Sequence, residues 1–284
     1  MSTVQKRAGM AGAHRPNRMV RVRELRRQGV YLIPNLFTSG NLFCGVFAII
    51  SVFNAEYVTA SMAILSASIF DVLDGKLARL THSTSRFGGE YDSLADVISF
   101  GVAPGVLAYS WALGSLGRLG WAAVFLYIAC GALRLARYNV QSASVERHDY
   151  VGLPIPAAAG LVAALVIFDD HILHFGKEVR PGLILGLIYV LAFLMVSTLS
   201  YQGVKGLRLK DRKPFGLLVG TLLVSLLFIV APQIMLLACF GIYVLSGLLS
   251  RPISALHGAI RGNARSTPLI KPLAPLAKPL AKTR

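Results

Sequence analysis

The stretch Asp71-Val72-Leu73-Asp74-Gly75-Lys76-Leu77-Ala78-Arg79, followed after eight residues by Gly88-Gly89-Glu90-Tyr91-Asp92-Ser93-Leu94-Ala95-Asp96, places four carboxylates between two long apolar runs. Asp71 and Asp74 are three residues apart, and Asp92 and Asp96 four apart, so on helices each pair shares one face about one turn apart. Gly75 and Ala78 continue the first face and Gly88 the second. This pattern predicts a helical hairpin in which four acids face one another beside small residues that leave open space. Ionisable residues at membrane depth are costly and usually functional, so the chemistry is expected here.

Working outward, the chain of 284 residues is 55% apolar and 15% charged, with a mean hydropathy of +0.61. Soluble domains carry about a quarter charged residues, and the difference excludes a disordered chain, a disulfide scaffold and an ordinary cytosolic enzyme. A bilayer core about 30 Å thick needs roughly 20 apolar residues per helix. Eight runs qualify: 32–53, 57–79, 92–114, 120–140, 151–169, 181–200, 214–231 and 234–253. The expected fold is therefore an all-α polytopic membrane bundle of about eight transmembrane helices.

The net charge of +16 supports that reading through its placement. With eight spans, 26 Lys and Arg residues fall on one side and only Arg118, Lys177 and Arg180 on the other. Cytoplasmic loops carry the excess of Lys and Arg, so both termini are expected in the cytoplasm, with no nucleic-acid partner. Residues 1–29 read as a basic N-terminal tail, 30–256 as the membrane domain, and 257–284 as a Pro/Ala/Lys-rich disordered tail. Either tail could touch anionic headgroups. The first apolar run begins near Val30 without a small-x-small cleavage site, so no cleavable signal is expected. Cys44, Cys130 and Cys239 all lie in apolar runs and are expected as buried free thiols.

Four acids brought together repel one another unless a cation sits among them. An all-oxygen set without His or Cys selects a hard ion, Mg²⁺ or Mn²⁺. Mg²⁺ commonly completes its shell with phosphate oxygens, so a diphosphate substrate is the natural partner, and Arg79 can neutralise further phosphate charge.

The pattern Asp71-x2-Asp74-Gly75-x2-Ala78-Arg79-x8-Gly88-x3-Asp92-x3-Asp96 resembles, at all eight positions, the motif of the CDP-alcohol phosphotransferases. The resemblance implies transfer of a phosphoryl-alcohol group from a CDP-linked donor to a hydroxyl, with CMP leaving. It also implies that Asp71, Asp74, Asp92 and Asp96 are metal ligands. Asp96 becomes the general base, close to the metal, while Asp71, Gly75, Ala78 and Arg79 line the CDP site.

The flanking segments resemble the membrane-embedded phosphatidylserine synthases of that family. They are Pro34-Asn35-Leu36-Phe37-Thr38-Ser39-Gly40-Asn41-Leu42-Phe43-Cys44-Gly45, Cys130 through Asn139, and Gly152 through Gly160. The resemblance covers roughly 30–215 and weakens from Val196 to Lys205, where Gln202-Gly203 follows Tyr201. It implies CDP-diacylglycerol and L-serine as substrates, a homodimer, and a site at the cytoplasmic face of a bacterial inner membrane.

Read physically, Asn35, Thr38 and Asn41 form a polar stripe that could bond the nucleotide, or that caps and packs a helix. Arg134 and Arg137 could hold a serine carboxylate or a lipid phosphate, or act as topology charges. Pro154 and Pro156 suit a helix start. Asp169, Asp170, His171 and His174 fall on the opposite side and are set aside; His82 and His148 receive no role, and Glu90 is expected to turn away from Asp92. The alternatives are a sister enzyme using glycerol 3-phosphate, inositol phosphate or choline, a cation transporter, and a non-catalytic lipid-binding scaffold. A transporter would place its acids near the midplane on interrupted helices of repeated halves, which this chain does not suggest.

Overall fold

In the computed structural model, residues 18–80, 85–142, 150–173, 179–201 and 214–264 are described. Helices α1 (Arg18–Phe53) and α2 (Tyr57–Leu80) follow the first two apolar runs and pack as an antiparallel hairpin. Their short connection contains Ala55 at φ 61°. Residues equidistant from that turn meet, which brings Thr38 to Asp74.

Ser85 starts α3 (Arg86–Asp96), its Oγ accepting the Gly88 N–H at 2.9 Å. Such a cap satisfies a backbone donor that a helix start leaves open. Directly after Asp96 the helix widens into a π-helical stretch, Val97–Val102, before resuming as α4 (Ala103–Trp111). Pro104 has no N–H to offer the Phe100 carbonyl. The hydroxyl of the fully buried Tyr127 supplies that hydrogen bond instead, at 3.1 Å.

Tyr127 belongs to α5 (Arg118–Ser142), which is followed by the two-residue strand β1 (Tyr150–Val151) and α6 (Ile155–Phe168). Pro156 sits in the first turn of α6, where a missing N–H does no harm. Every residue from Ala157 to Ala164 is buried, making α6 the central helix of the bundle. Its Gly160 admits the Phe240 ring at a distance no side chain could tolerate. α7 (Val179–Val196) leads to β2 (Ser200–Tyr201), which pairs antiparallel with β1, Tyr150 opposite Tyr201. α8 (Pro214–Val230) and α9 (Pro232–Ala264) complete the described chain.

The described residues are thus almost wholly helical, and among them five helical segments are long and apolar enough to cross a membrane: Pro34–Phe53, Tyr57–Leu80, Phe87–Trp111, Arg118–Gln141 and Ile155–Leu173. The bent pair Leu218–Val230 and Pro232–Leu248, turning by 120°, raises the number to six if taken as one span. Eight runs were expected from composition, and the difference has local causes. The run 181–200 stops being helical at Val196, where Ser197 Oγ bonds back to the Leu194 carbonyl and the chain turns into β2. That leaves Pro181–Val196 apolar but shorter than a span. Pro232, lacking an N–H, marks the break between α8 and α9, at the boundary expected between the runs 214–231 and 234–253. The expectation for the thiols is corrected too: Cys130 is buried, but Cys44 is half-buried and Cys239 exposed, all three unpaired.

Candidate active site

Three helices build the site. α2 carries Asp71 and Asp74, α3 carries Asp92 and Asp96, and α1 lies against both. Oxygen atoms of Asp71, Asp74 and Asp92 lie within 4.8 Å of one another, close enough to share one cation. One oxygen of Asp92, Oδ1, is buried without a hydrogen-bond partner. A buried carboxylate oxygen in that state calls for a ligand, and the all-oxygen donor set suits Mg²⁺ or Mn²⁺. The residues therefore fit the expected ion.

Asp96, expected as a fourth ligand, stands outside this three-oxygen group. It is buried, lies within electrostatic reach of Asp71, Asp92 and Asp74, and accepts a hydrogen bond from Asn41 Nδ2 at 3.0 Å. Asp74 is held in the same way from α1, by the Thr38 hydroxyl at 3.0 Å. Two of the three stripe residues on α1 are therefore bonded to the aspartates. The third, Asn35, lies beside the start of α3: a methyl group placed on Gly88 would come within 3.2 Å of its Oδ1. Ser39, next to Thr38, shares a 3.0 Å hydrogen bond with the Tyr91 hydroxyl, which adds another tie between α1 and α3. Sequence reading passed over Ser39 and Tyr91, because neither type in isolation signals a site.

Small residues open the surface of α2 as expected. A methyl group on Gly75 would meet only the Arg79 guanidinium, at 3.8 Å, and Ala78 is half-buried. Arg79 is exposed at the end of α2, free to reach an anion arriving from outside. Glu90 is exposed, away from the buried acids.

The end of α5 closes the site from the other side. Asn139 Nδ2 donates to Ser93 Oγ at 2.8 Å, pinning α5 against the acid-bearing turn of α3. Arg137 and Arg134, expected as a pair, do different things. Arg137 donates to the carbonyls of Val196 (3.1 Å) and Met195 (3.2 Å), binding two of the orphan acceptors that end α7. Arg134 is 6% exposed, with its Nε unpartnered, and lies within electrostatic reach of Asp96 and Tyr243.

Above them, the β1–β2 ladder ties the segment after α5 to the segment after α7. Gly152 permits it at φ 83°, because a side chain there would strike the Met195 carbonyl. Tyr201 packs on Tyr243 and donates to the Val244 carbonyl at 3.4 Å. Burial, and secondarily Tyr243, push its phenol up to about 12, so it stays a neutral donor at working pH. Asp169 and His171 sit far from the acids. α6 begins beside Arg137, and at 1.5 Å per residue Asp169 lies about 20 Å further along. His171 bonds the Ile167 carbonyl of its own helix. His82, His148 and His174 lie outside the described residues.

Comparison with known proteins agrees with this geometry. A profile of the CDP-alcohol phosphatidyltransferases matches residues 31–245. A CDP-diacylglycerol–serine O-phosphatidyltransferase of Helicobacter pylori is 40% identical over 220 residues, 78% of this chain and 91% of that protein. The Bacillus subtilis protein of the same name is 35% identical over 174 residues, 61% of this chain and 91% of its own. An archaetidylserine synthase of Methanothermobacter thermautotrophicus is 35% identical over 177 residues, 62% of this chain and 71% of that protein.

Proposed function

The chain belongs to the CDP-alcohol phosphatidyltransferase family, and on that premise we propose that it transfers the phosphatidyl group of CDP-diacylglycerol to the hydroxyl of L-serine, giving phosphatidylserine and CMP. The observation that carries the reaction class is the cluster of four buried or half-buried carboxylates, three of them sharing one cation-sized space. The serine acceptor is supported by the relatives, which bear that activity in their names across bacteria and an archaeon.

Asp71, Asp74 and Asp92 hold the divalent cation in this reading. When bound, it draws charge from the pyrophosphate and stabilises CMP as it departs. Asp96 takes the proton of the serine hydroxyl as it attacks the lipid-side phosphorus, within the range of general-base catalysis by a positioned carboxylate. Thr38 keeps Asp74 in place. Asn35, Gly75, Ala78 and Arg79 form the nucleotide side, with Arg79 meeting phosphate charge. Arg134 is the stronger candidate for the serine carboxylate, because its buried Nε has no protein partner, whereas Arg137 is engaged by backbone. Phosphoryl transfer requires little beyond such positioning and charge stabilisation.

The lopsided charge supports eight spans with both termini and the site on the cytoplasmic side of a bacterial inner membrane. The acyl chains of the donor then stay in the bilayer while its CDP head reaches the acids. A homodimer, implied by the family, completes the reading.

The test is CMP release from CDP-diacylglycerol by purified protein in detergent micelles with Mn²⁺ or Mg²⁺. Serine is compared with glycerol 3-phosphate, inositol phosphate and choline. Release that depends on serine supports the proposal. Release with another acceptor keeps the reaction class and overturns the substrate, and no release with any acceptor overturns catalysis.

A further inference from the structure

We propose that Asn41 is a positioning residue for Asp96: its amide fixes the rotation of the carboxylate and leaves the second oxygen to receive the acceptor's proton. This rests on Asp96 acting as the base in the reaction above.

Asn41 is fully buried, in a helix segment long and apolar enough to span a membrane. A buried amide there needs partners, and the two ends of this one are treated differently. Nδ2 donates to Asp96 Oδ1 at 3.0 Å, while Oδ1 is buried with no partner at all. The orientation follows from the contact, because turning the amide over would set its oxygen against a carboxylate oxygen. An amide kept for packing alone would satisfy both ends or be replaced by an apolar side chain. Here only the donor is used, and it is used on the candidate base.

A second tie joins the same two helices independently of this contact. Ser99, in the π-helical stretch that follows Asp96, donates from Oγ to the backbone carbonyl of Asn41 at 2.9 Å. One turn further along α1, Gly45 lies so close to Ser99 that a methyl group would come within 2.8 Å of its Cα and collide with its hydroxyl. π-helical insertions often mark functional sites. This one brings Asp96 and Ser99 onto the same stretch of α1. Asn41 therefore has two separable links: its backbone carbonyl ties the helices together, and its side-chain amide holds the base. Thr38, one turn earlier, does the corresponding work for Asp74, so α1 supports both acid-bearing helices from one face.

The experiment compares Asn41→Ala and the similarly sized Asn41→Leu with Ser99→Ala, each in the full-length protein in detergent micelles. It reads kcat and KM for serine, together with the affinity for CDP-diacylglycerol in the presence of Mn²⁺. Loss of an outer support typically costs 10–100-fold, so kcat is expected to fall about that much in both Asn41 variants. Donor affinity should stay within about threefold. Ser99→Ala removes only the helix tie and is expected to lower thermal stability while keeping kcat within about threefold. The proposal is overturned if a folded Asn41→Leu protein keeps its kcat. It is equally overturned if donor affinity falls in step with kcat, the pattern of a merely structural role. If both Asn41 variants fail to fold while Ser99→Ala folds, the amide serves packing and the proposal also fails. An unmodified protein that releases no CMP with serine would instead refute the reaction itself, before any variant is measured.

Discussion

The two ends of the described chain differ in how much of each helix is buried. From α1 to the π-helical stretch after α3, buried polar side chains bond specific partners: Thr38 to Asp74, Asn41 to Asp96, Ser99 to the backbone of Asn41. In α8, every residue from Leu218 to Val230 is exposed, and α8 packs within the chain chiefly on α9. A helix apolar all round suits a lipid environment, where an exposed Leu loses nothing to water. The contrast teaches where specification is spent. Burying four acids together demands fixed registers and partners, whereas a lipid-facing helix demands only hydrophobicity and length.

The largest test of that contrast lies at the acids. Asp96→Asn keeps shape and removes the base, so CMP release should fall by about 10²–10⁴-fold, with the protein still folded by size-exclusion chromatography. Retention of more than about a tenth of the activity would remove Asp96 from the chemistry.

Next comes the close approach of α1 to the π-helical stretch. Gly45→Val forces a side chain into Ser99, and overpacking of this kind costs about 1–3 kcal/mol. A clear drop in melting temperature, measured by fluorescence in detergent, should accompany loss of activity. An unchanged melting temperature would mean that the helices can part without penalty.

Thr38→Val is expected to weaken Mn²⁺ activation by about 10-fold, at the lower end of the range for outer supports of metal ligands. It should act on the metal dependence first, because Thr38 touches Asp74 and not Asp96. The smallest effect belongs to α8. A methyl group on Gly220 would meet nothing within 4 Å, so Gly220→Ala should raise stability by no more than about 1 kcal/mol, through helix propensity alone. A large change there would show that α8 has a partner and would undo the contrast between the two ends.

Much of the site was legible from spacing alone. Asp71, Asp74 and Asp92 converge because separations of three and four residues repeat the helical turn, and because α1 packs against both α2 and α3. Gly75 is open for the same local reason. The partners on α1 were not legible in the same way. A stripe at Asn35, Thr38 and Asn41 says which face is polar, yet not whether that face meets substrate or another helix. Arg134 and Arg137, three apart, likewise look equivalent, and only the end of α7 arriving beside Arg137 separates them. The end of α7 shows a related limit, because apolar composition continues past Val196 while the helical hydrogen-bond ladder does not.

The amino-acid sequence by itself determined the all-helical membrane class, the family and the acid cluster, since hydrophobic length, charge placement and helical periodicity are local properties of the chain. Tertiary structure alone decided which side chains hold the aspartates. Thr38 and Asp74 are 36 residues apart, and Asn41 and Asp96 are 55 apart. Contacts at such separations are set by the turn after α1, the cap at Ser85 and the widened helix after Asp96, acting together on how the helices pack.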